Sequence, residues 1–139
     1  MIAVVVGVVA AMWFLGIPRA RARAESIQCA SILSSLGLSA LTYSLDFNES
    51  FATDLRAMSN ELSTTKILIC PSDRSRKFAP HFYELGASNV SYLYLAAGLT
   101  NQGTNALFRC PLHGHVVFSD GRIVRGDGTI QYGKYGNVP

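Results

Sequence analysis

Three cysteines carry the most reactive side chains of this 139-residue chain, and their settings differ. Cys70 and Cys110 each end an apolar run and are each followed by proline, whereas Cys29 lies within a long helical pattern. In an oxidising compartment the matched settings favour a disulfide between Cys70 and Cys110, which would contribute about 4 kcal/mol by closing a loop of this length. The alternative is two buried free thiols at strand ends. Cys29 is expected to remain a buried thiol.

Two histidines close to the last cysteine suggest metal chemistry. Cys70, Cys110, His113 and His115 are four candidate zinc ligands if Cys70 approaches the last third of the chain. Their spacing matches no strong zinc signature, and a disulfide between the two cysteines would exclude zinc. We therefore expect neither a bound metal nor a cofactor.

Two aspartates near the C-terminus could in principle contribute to a calcium site. Asp120 and Asp127 each precede a glycine. Asp-Gly pairs are typical of turns, where the aspartate side chain bonds to its own backbone. The turn interpretation is therefore favoured over calcium binding.

The sequence also contains the residue types that a hydrolase site needs. Ser72 or Ser119 would be the nucleophile, His113 or His115 the base, and Asp120 the orienting group. No nucleophile elbow and no glycine-rich oxyanion loop accompanies these residues. We predict that the protein is not an enzyme.

The elements that must position these residues begin with one long helix. Met1 to Pro18 carries no charged side chain and would span about 27 Å as a helix, just short of a bilayer's hydrocarbon core. Residues 19–45 begin with alternating arginine and alanine and continue as an amphipathic pattern. We predict a membrane or filament-core helix over 1–18 and a spine helix over 19–45. A kink or short melted stretch is expected at Gly16 to Pro18, because Pro18 lacks a backbone donor.

The remaining residues, 46–139, predict one small globular head of the α+β class, with an antiparallel sheet laid across the spine helix. Asp120-Gly121 between two apolar alternating stretches is a strong hairpin signal. The predicted elements are a helix from Phe51 to Leu62 capped by Ser50, strands over 66–70 and 90–95, a hairpin of 115–119 with 122–125, a third strand over 129–132, and a loose tail from Gly133 to Pro139.

The charge distribution excludes one class of partner. The net charge is only +3, and no cluster of lysine and arginine is interleaved with aromatic residues. We expect no nucleic-acid binding.

Several stretches, in this order, carry a family resemblance. They are Ile2 to Met12 leading to Pro18, the arginine-alanine repeat, Ile27-Gln28-Cys29 with Leu36-Gly37-Leu38, Cys70-Pro71-Ser72-Asp73, Cys110-Pro111-Leu112-His113-Gly114-His115, and Phe118-Ser119-Asp120-Gly121. The chain resembles the bacterial type IV pilins and type II secretion pseudopilins, and most of all the prepilin-type proteins of the planctomycete and verrucomicrobial kind. Two features differ: the first acidic residue is Glu25, whereas pilins carry a glutamate inside the apolar helix, and the spacing from histidine to Asp-Gly is shortened.

The resemblance implies a structural subunit of a pilus or pseudopilus. Such a subunit sits in the inner membrane and then moves, with the secretion or pilus assembly machinery, into a periplasmic or extracellular filament held together by self-association. Gly7, Ala10 and Ala11 would allow close approach between helices, with Gly16 and Pro18 at the weak point that neighbouring helices would cover.

Two alternatives remain open at the N-terminus. Ala22-Arg23-Ala24 has the small-x-small form of a signal-peptidase site, although no basic residue precedes the apolar run. The other alternative is a single-span membrane-anchored extracytoplasmic binding module.

Overall fold

The computed structural model describes residues 2–132, with side chains described for 4–7, 13 and 16–131. One helix, α1, runs from Ile2 to Asp46, and Pro18 lies inside it. At 1.5 Å per residue, α1 is about 68 Å long. The predicted tail from Gly133 to Pro139 lies outside the described residues.

The short melted stretch expected at Gly16 to Pro18 is wrong for the single chain, whereas the kink stays a prediction. The helix is continuous through this segment. Proline removes only one backbone hydrogen bond, and the alanines and arginines that follow it are strong helix formers. The departure from helical geometry expected in an assembled filament stays a prediction.

The expected membrane span over residues 1–18 is not supported either. Within residues 2–132, no helix is both long enough and apolar enough to cross a membrane.

The C-terminal half of α1 is the spine of the head, as predicted. Its buried positions recur every three or four residues and form one stripe, with Cys29, Leu33, Leu36, Ala40 and Ser44 all fully buried. The described side chains before Glu25 are all exposed. The head therefore covers only the second half of the helix.

Five short antiparallel strands form the sheet in the sequential order β1-β2-β3-β4-β5. They are β1 (Leu93–Tyr94), β2 (Ala106–Arg109), β3 (Val116–Phe118), β4 (Arg122–Val124) and β5 (Ile130–Tyr132). The strands β2, β3 and β4 pack on α1. The α+β class, with one long N-terminal helix and an antiparallel sheet, is confirmed.

The predicted hairpin and third strand are also confirmed. Gly121 has φ of 79° and donates its backbone N–H to the Phe118 carbonyl at 3.0 Å, which closes the β3–β4 turn. Gly128, at φ of 83°, plays the same part between β4 and β5. A left-handed backbone at these two positions explains why glycine follows each aspartate.

The segment before the sheet differs from the prediction. The expected helix from Phe51 to Leu62 is wrong; only a 3₁₀ turn at Leu55–Met58 forms, and its N-cap is Asp54 and not Ser50. Phe51, Met58 and Leu62 are nevertheless buried. The apolar spacing therefore indicated which side chains are buried, but it did not indicate a continuous helix.

Two predicted strands are also changed. The run over 66–70 is a 3₁₀ turn, Thr65–Leu68, in which Thr65 donates its hydroxyl to the Ala79 carbonyl. The strand over 90–95 shrinks to β1. Conversely, β2 was anticipated only as the apolar run that ends at Cys110. Two further 3₁₀ turns, Phe82–Glu84 and Ala87–Asn89, lie in the connection before β1.

Candidate functional site

Three cysteines and one histidine lie close together where the head packs against α1. The ligand-capable atoms of Cys29, Cys70, Cys110 and His113 all lie within 4.8 Å of one another. The three cysteines are fully buried, and His113 is half-buried. We call this group the Cys3His cluster. It combines Cys70, Cys110 and His113, which the sequence offered as candidate zinc ligands although no metal was expected, with Cys29, which was not among those candidates.

The two cysteines predicted to form a disulfide are in contact but not bonded. Their sulfurs are 3.7 Å apart, and all three cysteines are free thiols. A disulfide requires a sulfur-sulfur distance of about 2.05 Å. The structure thus shows the alternative of buried free thiols, and the pairing in an oxidising compartment stays a prediction.

Each Cys-Pro pair starts a tight turn. In one turn, Gly114 donates its backbone N–H to the Cys110 carbonyl at 2.8 Å, and its φ of 69° requires glycine. In the other turn, Asp73 donates its backbone N–H to the Cys70 carbonyl at 2.9 Å. These turns hold Cys70 and Cys110 in place at the cluster.

The imidazole of His113 is held from both sides. Its Nδ1 lies 3.4 Å from the Cys70 sulfur and 3.7 Å from the Cys110 sulfur. Its Nε2 lies 3.2 Å from the Ser72 hydroxyl, which donates its single proton to Glu25 at 2.8 Å. Ser72 must therefore accept from Nε2–H, so the neutral ring carries its proton on Nε2 and presents the Nδ1 lone pair to the sulfurs.

Glu25 continues this chain to the surface. Its carboxylate is paired with Arg74 at 2.7 Å and with Arg21 at 3.2 Å. The hydrogen bond from Ser72, with the two arginines, lowers the pKa of Glu25. The carboxylate therefore stays ionised and keeps accepting from Ser72.

Local electrostatics favour a thiolate at Cys110. A hydrogen bond from Cys29, together with the backbone N–H groups of His113 and Leu112, lowers the pKa of Cys110 to about 4. The hydrogen bond to Cys110 is the main cause that raises the pKa of Cys29, and burial is the second cause. Burial also raises the pKa of Cys70. Burial also raises the pKa of Tyr92, whose hydroxyl donates to the Cys29 sulfur at 3.7 Å.

His115, the fourth predicted zinc ligand, is engaged elsewhere. It is buried, accepts the Gly126 N–H on Nδ1 at 3.0 Å, and so donates from Nε2 to the Ser26 hydroxyl at 3.0 Å. It stacks against His113 with ring centroids 5.4 Å apart. His115 therefore ties α1 to the turn after β4, and burial lowers its pKa.

The candidate hydrolase residues do not assemble. Ser119 is bonded to Gly103 and Asn105, and Asp120 caps its own turn by accepting the Arg122 N–H. Ser72 does contact His113, but the other nitrogen of that ring faces sulfurs and not an orienting carboxylate.

Both aspartates weighed for calcium hold their own turns. Asp127 accepts from the backbone and hydroxyl of Thr129, at 2.9 and 2.7 Å, just as Asp120 holds the β3–β4 turn. These bonds agree with the turn interpretation.

A second feature is the exposed apolar half of α1. Val4, Val5 and Val6 are 70, 62 and 61% exposed, and Trp13 is 68% exposed. Three consecutive residues cover more than half of a helix's circumference. The chain itself therefore covers no face at Val4 to Val6.

The small residues predicted for assembly can be compared in part. A Cβ added at Gly7 or Gly16 would meet no atom within 4 Å. Pro18 is exposed. Ala10 and Ala11 lie in the helix, but their side chains are outside the described part. Among the residues that the structure describes, no packing therefore accounts for glycine at positions 7 and 16.

The sequence missed Cys29 as a member of the cluster because its spacing to the other cysteines follows no motif. The local signal that was available is Cys110-Pro111-Leu112-His113, since two intervening residues are a common ligand spacing.

No protein-family model, curated protein or solved structure matches this chain.

Proposed function

We propose that the chain is a structural subunit of a filament of the type IV pilin or type II secretion pseudopilin kind, in which copies associate through the apolar half of α1. The observation that carries this proposal is the open space around Gly7 and Gly16 on a helix whose apolar side chains are exposed. Glycine inside a helix costs about 1 kcal/mol relative to alanine. Close approach of a neighbouring helix offsets that cost.

Gly37 provides the internal comparison. It lies on the covered half of the same helix, and a Cβ there would stand 2.9 Å from Val117 of β3. Glycine at 37 is thus required by contact within the chain. By the same logic, Gly7 and Gly16 are suited to a contact that another copy would supply.

The arginines that follow Pro18 fit such an assembly. Arg19, Arg21 and Arg23 are exposed, and only Arg21 among them pairs with a carboxylate within the described residues. Charged side chains are costly in an apolar interior without partners. These arginines would therefore mark the boundary between a filament core, formed by residues 2–17 of neighbouring copies, and an outer layer formed by the heads.

The test compares a substitution to leucine on each side of this boundary. Gly7→Leu should raise the critical concentration for polymerisation about tenfold or more, because overpacking costs about 1–3 kcal/mol per contact. Ala24→Leu, on the exposed charged side, should leave it within about twofold. Val5→Asp should abolish polymers, because it would bury an unpaired charge. Sedimentation of the full chain over a concentration series measures all three.

Unchanged polymerisation of Gly7→Leu would contradict the proposal. So would an equal loss in Ala24→Leu, because the effect would then not be specific to the apolar half. Circular dichroism of each variant distinguishes lost assembly from lost helix.

A further inference from the structure

We propose that the Cys3His cluster binds one zinc ion, with the ligands Cys29, Cys70, Cys110 and His113. This inference does not depend on filament assembly, because the cluster lies in the head and on the covered half of α1.

Three of the four ligands have the spacing of a tetrahedral metal site. Zn–S bonds of about 2.3 Å and Zn–N bonds of about 2.0–2.1 Å place two tetrahedral sulfurs about 3.8 Å apart and a sulfur and a nitrogen about 3.5 Å apart. The observed distances are 3.7 Å between the Cys70 and Cys110 sulfurs, and 3.4 and 3.7 Å from those sulfurs to Nδ1 of His113. The Cys29 sulfur completes the set within 4.8 Å of the other three atoms.

The histidine is already in the tautomer that a metal needs. Because Ser72 gives its proton to Glu25, it accepts Nε2–H and leaves Nδ1 free. A histidine that binds zinc almost always donates its other ring N–H to a fixed acceptor, usually a carboxylate, a backbone carbonyl or a water molecule. Here the Ser72 hydroxyl, held by Glu25, is that acceptor. Ser72 and Glu25 are positioning residues in this account.

A hydroxyl donor at the cluster supports negative charge on sulfur. Three thiolates, a neutral imidazole and Zn²⁺ leave a net charge of −1. The Tyr92 hydroxyl donates to the Cys29 sulfur at 3.7 Å. Bonds from neutral donors to ionised sulfur are stronger than neutral pairs.

The ligand set indicates zinc in a structural role. Soft thiolates with imidazole select zinc among the common divalent ions, and four protein ligands leave no open position for a substrate. The ligands come from α1, from the turn after Thr65–Leu68, and from the turn after β2. One ion would therefore join three segments that lie far apart in the sequence, including the helix and the connection between β2 and β3.

Metal analysis of the full chain purified with zinc, with no chelator present, tests the proposal. We expect about one zinc per chain by elemental mass spectrometry, and removal by a chelator should lower the thermal unfolding midpoint. His113→Ala and Cys29→Ser should each lose most of the bound zinc. His81→Ala, at an exposed histidine away from the cluster, should keep it.

Cobalt substitution covers the case in which a variant fails to fold. The parent chain loaded with Co²⁺ should show the intense visible bands of tetrahedral coordination and thiolate-to-cobalt charge transfer. His113→Cys should retain one metal and strengthen the charge-transfer band. A zinc content near zero with an octahedral cobalt spectrum would overturn the proposal. A Cys70–Cys110 disulfide in non-reduced peptides of the purified chain would overturn it too.

Discussion

Gly37 shows how one residue can set the distance between two elements. Its missing side chain lets Val117 of β3 press directly on α1, and both residues lie in the buried interior. Because glycine lowers helix propensity, its presence mid-helix needs a packing reason. The contact with Val117 is that reason.

Gly37→Ala should therefore destabilise the head by about 1 kcal/mol, since overpacking of about 2 kcal/mol exceeds the gain of about 1 kcal/mol in helix propensity. In a Val117→Ala background the same change should become neutral or stabilising, because the added methyl then has space. A double-mutant cycle by urea unfolding measures this coupling. Equal effects in both backgrounds would show that the Val117 contact does not select glycine.

At the scale of elements, the link between α1 and the turn after Cys70 depends on one carboxylate. Glu25 of α1 accepts from Ser72 and Arg74 of the turn, and from Arg21 of its own helix. Its pKa is lowered, so the ionised form is favoured by folding. The sign follows from linkage: the contribution is complete above about pH 4.5 and is lost as the pH falls through the folded-state pKa.

Glu25→Gln should consequently be less stable than the parent at about pH 7, and the difference should shrink as the pH falls below about 4.5. Chemical unfolding of both proteins across this range checks the prediction, with the exposed Glu49→Gln as the matched control. A stability difference that stays constant down to about pH 3 would show that the charge of Glu25 does not hold the turn.

Elements with local signals were predictable from the sequence. The β3–β4 hairpin follows from Asp120-Gly121 alone, because the turn needs a left-handed glycine and a self-bonding aspartate. The run over 66–70 was mistaken for a strand because a short apolar run does not determine its own conformation. Its 3₁₀ turn depends on the distant Ala79 carbonyl.

The candidate metal site was only half predictable for the same reason. Cys110 and His113 share one turn and were recognised together. Cys29 reaches them only because the stripe of α1 faces the sheet, and no local pattern reports that contact. His115 was included for its spacing, yet the turn after β4 binds its ring.

At the scale of the whole molecule, the head covers the second half of α1 and leaves the first half exposed. The second half of α1 is buried by the head, while Val4, Val5 and Val6 are exposed around the first. Large exposed apolar surfaces on proteins generally mark interaction sites. In the proposed filament, the exposed half of α1 would form the core and the head would form the outer layer.

Electron microscopy of filaments sheared from cells that produce the full chain tests this central claim most directly. Helical reconstruction should show residues 2–17 of neighbouring copies packed together along the axis, with helices close at Gly7 and Gly16 and the heads outside. The account would be contradicted by cells that produce the chain without any filament containing it. A filament built through contacts between heads, with the apolar helices apart from one another, would contradict it as well.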